Sequence, residues 1–156
     1  MSLREEIKQT RPFSSRLEEA ILNIVRTASE LTYTASESLK PHGLTTTQYN
    51  VLRILRGAGT EGLPCGSIAE RMLTRDSDIT RLLDRLTKCG LVERGRLEND
   101  RRVVTVRLTA KGTELLTQLD PVVRQLHHDL LGHLDEATVS ALITGLERAR
   151  SRAGNA

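Results

Sequence analysis

Between Ile79 and Thr109 the chain reads ITRLLDRLTKCGLVERGRLENDRRVVTVRLT, and this stretch restricts the possible folds more than any other. Ile79, Leu82, Leu83 and Leu86 recur at i, i+3, i+4 and i+7 and make one apolar stripe of a helix, while Ser77, Arg81, Asp84, Arg85 and Lys88 line its other side. A helix this short is stable only against neighbours that cover the stripe, and its charged side stays free to meet a partner. Cys89-Gly90 predicts a left-handed stop, Leu91 to Arg94 a short strand, and Arg102 to Leu108 a second strand with Val104, Val106 and Leu108 on one side. A polar turn from Gly95 to Arg101 joins the strands into an arginine-rich hairpin.

The rest of the chain supplies helices. Leu17, Ile21, Ile24, Val25, Ala28, Leu31 and Ala35 predict a long first helix whose stripe continues to Leu39 and stops at Pro41-His42-Gly43. Thr45 predicts the N-cap of a second helix through Tyr49, Leu52 and Leu55, ended by Gly57 and Gly59. A short extended piece from Gly62 to Pro64 precedes a third, short helix carrying Ile68, Ala69, Met72 and Leu73, and Thr74 to Ser77 form the turn into the fourth. Thr109 is expected to cap a fifth helix through Leu116, Leu119, Val123, Leu126 and Leu130, kinked or divided at Pro121, where a backbone donor is missing. Asp135 caps a last helix with Val139, Leu142, Ile143 and Leu146. The order α, α, β, α, α, β, β, α, α predicts a mainly α fold with a small β-wing.

Leu, Ile, Val and Ala dominate the apolar content, against two Tyr, one Phe and no Trp, which fits aliphatic helices in a chain of 156 residues. The net charge of +3 says little by itself; its distribution says more. Basic and acidic side chains balance at eight each up to residue 70, stand at ten and six from 71 to 107, and at five and six beyond. The positive excess therefore belongs to the helix-plus-hairpin segment. No apolar run approaches the roughly 20 residues that span a bilayer, and MSLREEIKQT lacks a signal-peptide core, so a cytoplasmic protein without a membrane partner is expected. Cys65 and Cys89 show no CxxC spacing and suggest no disulfide framework.

The third and fourth helices, joined by a tight turn, read as a helix-turn-helix whose second member would enter the major groove of double-stranded DNA. Ser77 and Thr80 can donate to phosphate or to a base edge, Arg81 can grip guanine through two hydrogen bonds, and Asp78 can accept from cytosine N4; Arg85 and Lys88 suit phosphate. Asp76 and Asp78 serve equally as capping acids at a helix N-terminus, and Asp84 with Arg85 as a surface pair. In the hairpin, Arg96, Arg101 and Arg102 flank a tip able to reach a minor groove, with Arg101 the preferred residue and Asp100 as the acid that orients an arginine.

The run from Ile68 to Leu116, with IAERM, DITRLLDRL, GLVERG and NDRRVVTVRLTAKG, resembles the winged-helix core of the MarR family of bacterial transcription regulators. The resemblance implies a winged helix-turn-helix core flanked by N- and C-terminal dimerisation helices: residues 1–40, a DNA-binding domain at 41–110, and residues 111–156. It further implies a homodimer acting as a ligand-responsive repressor on a palindromic operator. The terminal helices point to a second copy independently, because their aliphatic stripes exceed what so small a centre can cover; packing of the first helix on the last within one monomer is the alternative. By position, the resemblance places Ser77, Asp78, Thr80 and Arg81 on the base-reading part of the recognition helix and Arg101 on the wing. Family effectors are often phenolic or aromatic acids held where dimer helices meet the winged lobe, and Tyr33, His42, Tyr49 and Arg53 are the effector-binding candidates here.

Other signals compete with a small-molecule effector. Cys89, at the end of the recognition helix, could couple thiol oxidation to DNA release. A metal-sensing repressor would draw on His128, His133 and Asp129, but His127 and His128 point about 100° apart on a helix, and no metal or other cofactor is expected. An enzyme is disfavoured: no Gly-rich phosphate loop, nucleophile elbow or HExxH occurs, and the four histidines lack an acid-base setting.

Overall fold

A computed structural model of the chain describes residues 2–74, 78–96 and 102–153. A short helix α1 (Leu3–Glu6) precedes the long α2 (Arg16–Leu39), which a 3-10 turn at Lys40–His42 and the left-handed Gly43 (φ 70°) bring to an end. Helix α3 (Thr46–Ala58), strand β1 (Leu63–Pro64), and helices α4 (Cys65–Glu70) and α5 (Ile79–Lys88) follow. Strands β2 (Val92–Arg96) and β3 (Val104–Leu108) then lead into α6 (Ala110–Leu131) and α7 (Glu136–Ala153). The expected mainly helical fold with a β-wing is the one observed, with α1 as an addition.

Capping chemistry sets most boundaries. Thr45 Oγ1 accepts the Gln48 N–H at 3.1 Å while the Thr45 N–H donates to Gln48 Oε1 at 2.9 Å, a reciprocal box that starts α3, and Gly59 (φ 72°) stops it. Thr109 Oγ1 accepts the Gly112 N–H at 3.1 Å and starts α6; Asp135 accepts the Thr138 N–H at 2.8 Å and starts α7. Hydrogen bonding from Thr138, from its side chain first and its backbone second, holds the Asp135 carboxyl below its ordinary value. α6 runs undivided through Pro121, contrary to one of the two expected outcomes.

The sheet is antiparallel, in the order β1-β3-β2, with Leu63 opposite Val106 and Arg94 opposite Val106 on the other side. Burial along β3 does not follow the alternation of its side chains. Val106 is buried, but so is Thr105, because it lies between Pro64 and Gly95 in the central strand; Val104, opposite Arg96 beyond the end of β1, is 51% exposed. Gly62 (φ 72°) lets the chain enter β1 tightly against the Val106 carbonyl, where a Cβ would collide.

One core unites the centre of the molecule. Leu52 and Leu55 of α3, Ile68 of α4, Leu83 and Leu86 of α5, and Leu116 and Leu119 of α6 are all fully buried, with Val92 and Val106 of the sheet beneath them. Ile79 and Leu82 pack on its edge, so the whole predicted stripe of α5 faces inward. Truncating any of these leucines to alanine removes roughly 2–5 kcal/mol. Helix α4 ends earlier than expected: Arg71 caps it, Met72 packs partly buried outside it, and Leu73 is exposed, its N–H diverted to Asn50 Oδ1 at 3.0 Å.

The outer helices present a different picture. On α2, Leu17, Ile21, Ile24 and Val25 are exposed and only Leu39 is buried; on α7, Leu142 and Ile143 are exposed. α2 packs on α3 and α6. No helix among the described residues is long and apolar enough to cross a membrane.

Candidate nucleic-acid interface

Helix α5 buries its leucines against the core and turns its polar side outward, where Thr80, Arg81, Arg85 and Lys88 are exposed. Asp78 is the N-cap: its Oδ1 accepts the Arg81 N–H at 3.1 Å, and its Oδ2 lies 3.0 Å from Arg81 Nε. The Arg81 side chain remains 81% exposed, held at the start of the helix by its own cap. Between capping and base reading, then, Asp78 has its carboxylate engaged with the helix start and with Arg81. Ser77, together with Asp76, Asp100 and Arg101, lies outside the described residues.

Three arginines lie in the wing strands, Arg94 and Arg96 in β2 and Arg107 in β3, and Arg102 lies just before β3. Arg94 donates to Asp84 Oδ1 at 2.5 Å, so the acid of α5 pairs with the wing and not with Arg85 beside it. Arg107 donates to Glu93 at 2.9 Å across the ladder, where the two residues are in register. Arg96 is exposed at the far end of β2, and Arg102 is exposed where the chain re-enters the hairpin. α5 and the wing therefore present exposed guanidinium and ammonium groups from two elements joined directly by Asp84 and Arg94. The Asp84–Arg94 link was not read from the sequence, since neither local periodicity nor spacing signals it.

At its C-terminal end α5 is closed by the left-handed Gly90 (φ 70°) and tied to α6, with Lys111 Nζ donating to the Cys89 carbonyl at 2.8 Å and Thr109 Oγ1 to the Gly90 carbonyl at 2.7 Å. The Cys89 thiol is exposed and free, and Cys65 is free and half-buried on the core.

Of the four residues expected to surround an effector, the structure brings two together. Tyr49 and Arg53 line a cavity of about 220 Å³ with Leu39, Asn50, Val122, Leu126 and His127, between α2, α3 and α6. His42 lines a separate, wider cleft of about 450 Å³ with Cys89, Lys111 and Glu114, and Tyr33 is exposed on α2 away from both. His42 belongs to the 3-10 turn that follows α2 and lines its cleft beside Gly43 and Leu44. Asn50 and His127 were not among the residues expected at an effector; Asn50 was signalled only as a polar residue beside the apolar Val51-Leu52 pair. Among the described residues no three His, Cys, Asp or Glu side chains are grouped to hold a metal ion, and His133 lies beyond the end of α6 that carries His128.

Comparison with known proteins gives this arrangement a context. Residues 42–103 match the sequence pattern of the MarR family. Over 72 residues the chain is 43% identical to an uncharacterised HTH-type transcriptional regulator, YfiV, of Bacillus subtilis, a match covering 46% of this chain and 44% of that protein, so it spans less than half of that relative's length. A MarR transcription factor from Planctomyces limnophilus is 41% identical, with a TM-score of 0.66 over 87% of this chain and 98% of that one. A mutant MarR from Escherichia coli complexed with operator DNA is 26% identical, with a TM-score of 0.73 over 96% of this chain and 99% of that one.

Proposed function

Because the chain belongs to the MarR family of winged-helix transcription regulators, we propose that it binds double-stranded DNA sequence-specifically as a homodimer on a palindromic operator and acts as a ligand-responsive repressor. The observation that carries this reading is the joined presentation of α5 and the wing, with Arg81, Arg85 and Lys88 exposed on the one and Arg96 and Arg102 on the other. α5 sits in the major groove, Thr80 and Arg81 with Ser77 and Asp78 toward base edges, Arg85 and Lys88 toward phosphate. Arg101, oriented by Asp100, takes the minor groove.

In this reading residues 41–110 form the DNA-binding domain, while residues 1–40 and 111–156 form the dimer. The exposed Leu17, Ile21, Ile24 and Val25 of α2 and Leu142 and Ile143 of α7 are the apolar surface that a second copy would cover. The small-molecule effector occupies the cavity of Tyr49 and Arg53. The test is a band-shift titration on the chain's own promoter region at several salt concentrations, with the mass of the free protein measured by sedimentation. Specific, salt-sensitive retardation by a two-chain particle is expected; a monomer, or retardation equal on random DNA, overturns the reading.

A further inference from the structure

Asn50, in the second turn of α3, is 6% exposed, and its two ends are treated differently. Oδ1 accepts the Leu73 N–H at 3.0 Å. Since a backbone N–H only donates, this contact fixes the amide with its nitrogen on the opposite side. Nδ2 is buried and, among the described residues, makes no hydrogen bond. A buried donor without an acceptor is costly and rare, and asks for an occupant.

The same side chain lines two cavities. One is the 220 Å³ cavity of Tyr49, Arg53 and His127; the other, of about 280 Å³, is lined by Leu31, Thr46, Leu73 and Thr74. Leu73 and Thr74 follow α4 on the way to α5, after Arg71 and Met72. Asn50 therefore stands between a chamber and the segment that leads into the exposed helix. The side chains around the first cavity offer hydroxyls, an amide, an imidazole and a guanidinium, with no carboxylate, set against Leu39, Val122 and Leu126. That lining fits a small monocarboxylate with an apolar body.

We propose that Asn50 is the positioning residue that couples this cavity to the recognition helix. The carboxylate of the occupant accepts from Nδ2, the amide turns about its χ2 bond toward it, and Oδ1 leaves the Leu73 N–H. Leu73 is released from α3, and α5 loses its presentation to DNA. The inference rests on the reading that this cavity takes the effector.

The test uses the full chain, its promoter DNA and benzoate as the probe, with calorimetry for benzoate binding and fluorescence anisotropy for DNA binding. Benzoate is expected to bind the wild type and to lower its DNA affinity by about tenfold or more. Asn50→Asp keeps an oxygen for Leu73 but replaces the donor with an acceptor, so benzoate binding is expected to weaken by about tenfold or more. Hydrogen exchange of the Leu73 amide in the wild type supplies a measurement that needs no variant, and it should quicken by about fivefold or more when benzoate binds. Benzoate that binds and acts equally on wild type and Asn50→Asp, or leaves Leu73 exchange unchanged, overturns the coupling role alone. Benzoate that does not bind the wild type overturns the cavity reading and the coupling role together.

Discussion

Arg94 on the wing strand β2 donates to Asp84 on helix α5, so the two elements that project exposed basic groups are held to each other by one ion pair about half exposed on each side. An exposed pair contributes only about 0–1 kcal/mol to stability, which makes its value one of placement. Asp84→Asn should leave the melting temperature nearly unchanged. Releasing Arg94 and removing an anion should raise affinity for random DNA, while the loosened wing gains nothing on the operator. The ratio of operator to random affinity is expected to fall by about threefold, and equal ratios for variant and wild type would show that the pair places nothing.

Arg81 is displayed at the start of α5, and the cap from Asp78 reaches its backbone N–H, which survives truncation of the side chain. Arg81→Ala should therefore keep the helix and remove about 1–3 kcal/mol of base discrimination. Competition binding with single-base operator variants reads this directly. Equal losses on operator and random DNA would assign Arg81 to phosphate instead.

For Arg101 the expected effect is of another kind. Arg101→Ala should weaken DNA binding while the dimer and its melting stay as in the wild type, and the slope of log affinity against log salt should become shallower by about one unit. Circular dichroism and sedimentation beside the salt titration decide the matter; lost helix content would give the arginine a structural role.

Gly112, in the first turn of α6, lies so close to the Leu91 carbonyl that an added Cβ would strike backbone and not a movable side chain. Gly112→Ala should cost about 1–3 kcal/mol through the forced separation of α6 from the start of β2, measured by urea unfolding. A variant as stable as the wild type would mean that α6 can shift without penalty.

Asp135 caps α7 through Thr138, and its carboxyl is held below the usual aspartate value by those hydrogen bonds, first the side-chain one and then the backbone one. A depressed folded-state value means that the stabilisation is present above the unfolded value of roughly 4 and lost as pH falls through the folded one. Asp135→Asn should melt at a lower temperature than wild type at pH 7, with the gap closing below about pH 4. A gap independent of pH would point to a cause other than the carboxylate.

Local chemistry made much of the fold readable. Thr45 with Gln48, Gly59, Gly90, Thr109 and Asp135 act within four residues of themselves, and the Ile79-Leu82-Leu83-Leu86 stripe needs only helical geometry to declare a buried face. What depended on partners distant in sequence was hidden. Thr105 is buried because β1 and β2 both flank it, and Asn50 finds Leu73 twenty-three residues away. Asp84 prefers Arg94 to its neighbour Arg85, and His42, in the turn after α2, lines a different cleft from Tyr49. Helix α1 was missed because its single buried residue, Leu3, gives no periodicity.

Only Thr109 separates β3 from α6, and it is bonded on both sides, to Gly90 before it and Gly112 after it, while Lys111 grips Cys89 and Gly112 rests on Leu91. The hairpin and the long rod are thus welded at their junction. Along 22 residues, about 33 Å, a displacement of about 3 Å at the Leu131 end swings the hairpin through about 5°, so what happens far from the wing steers where it points.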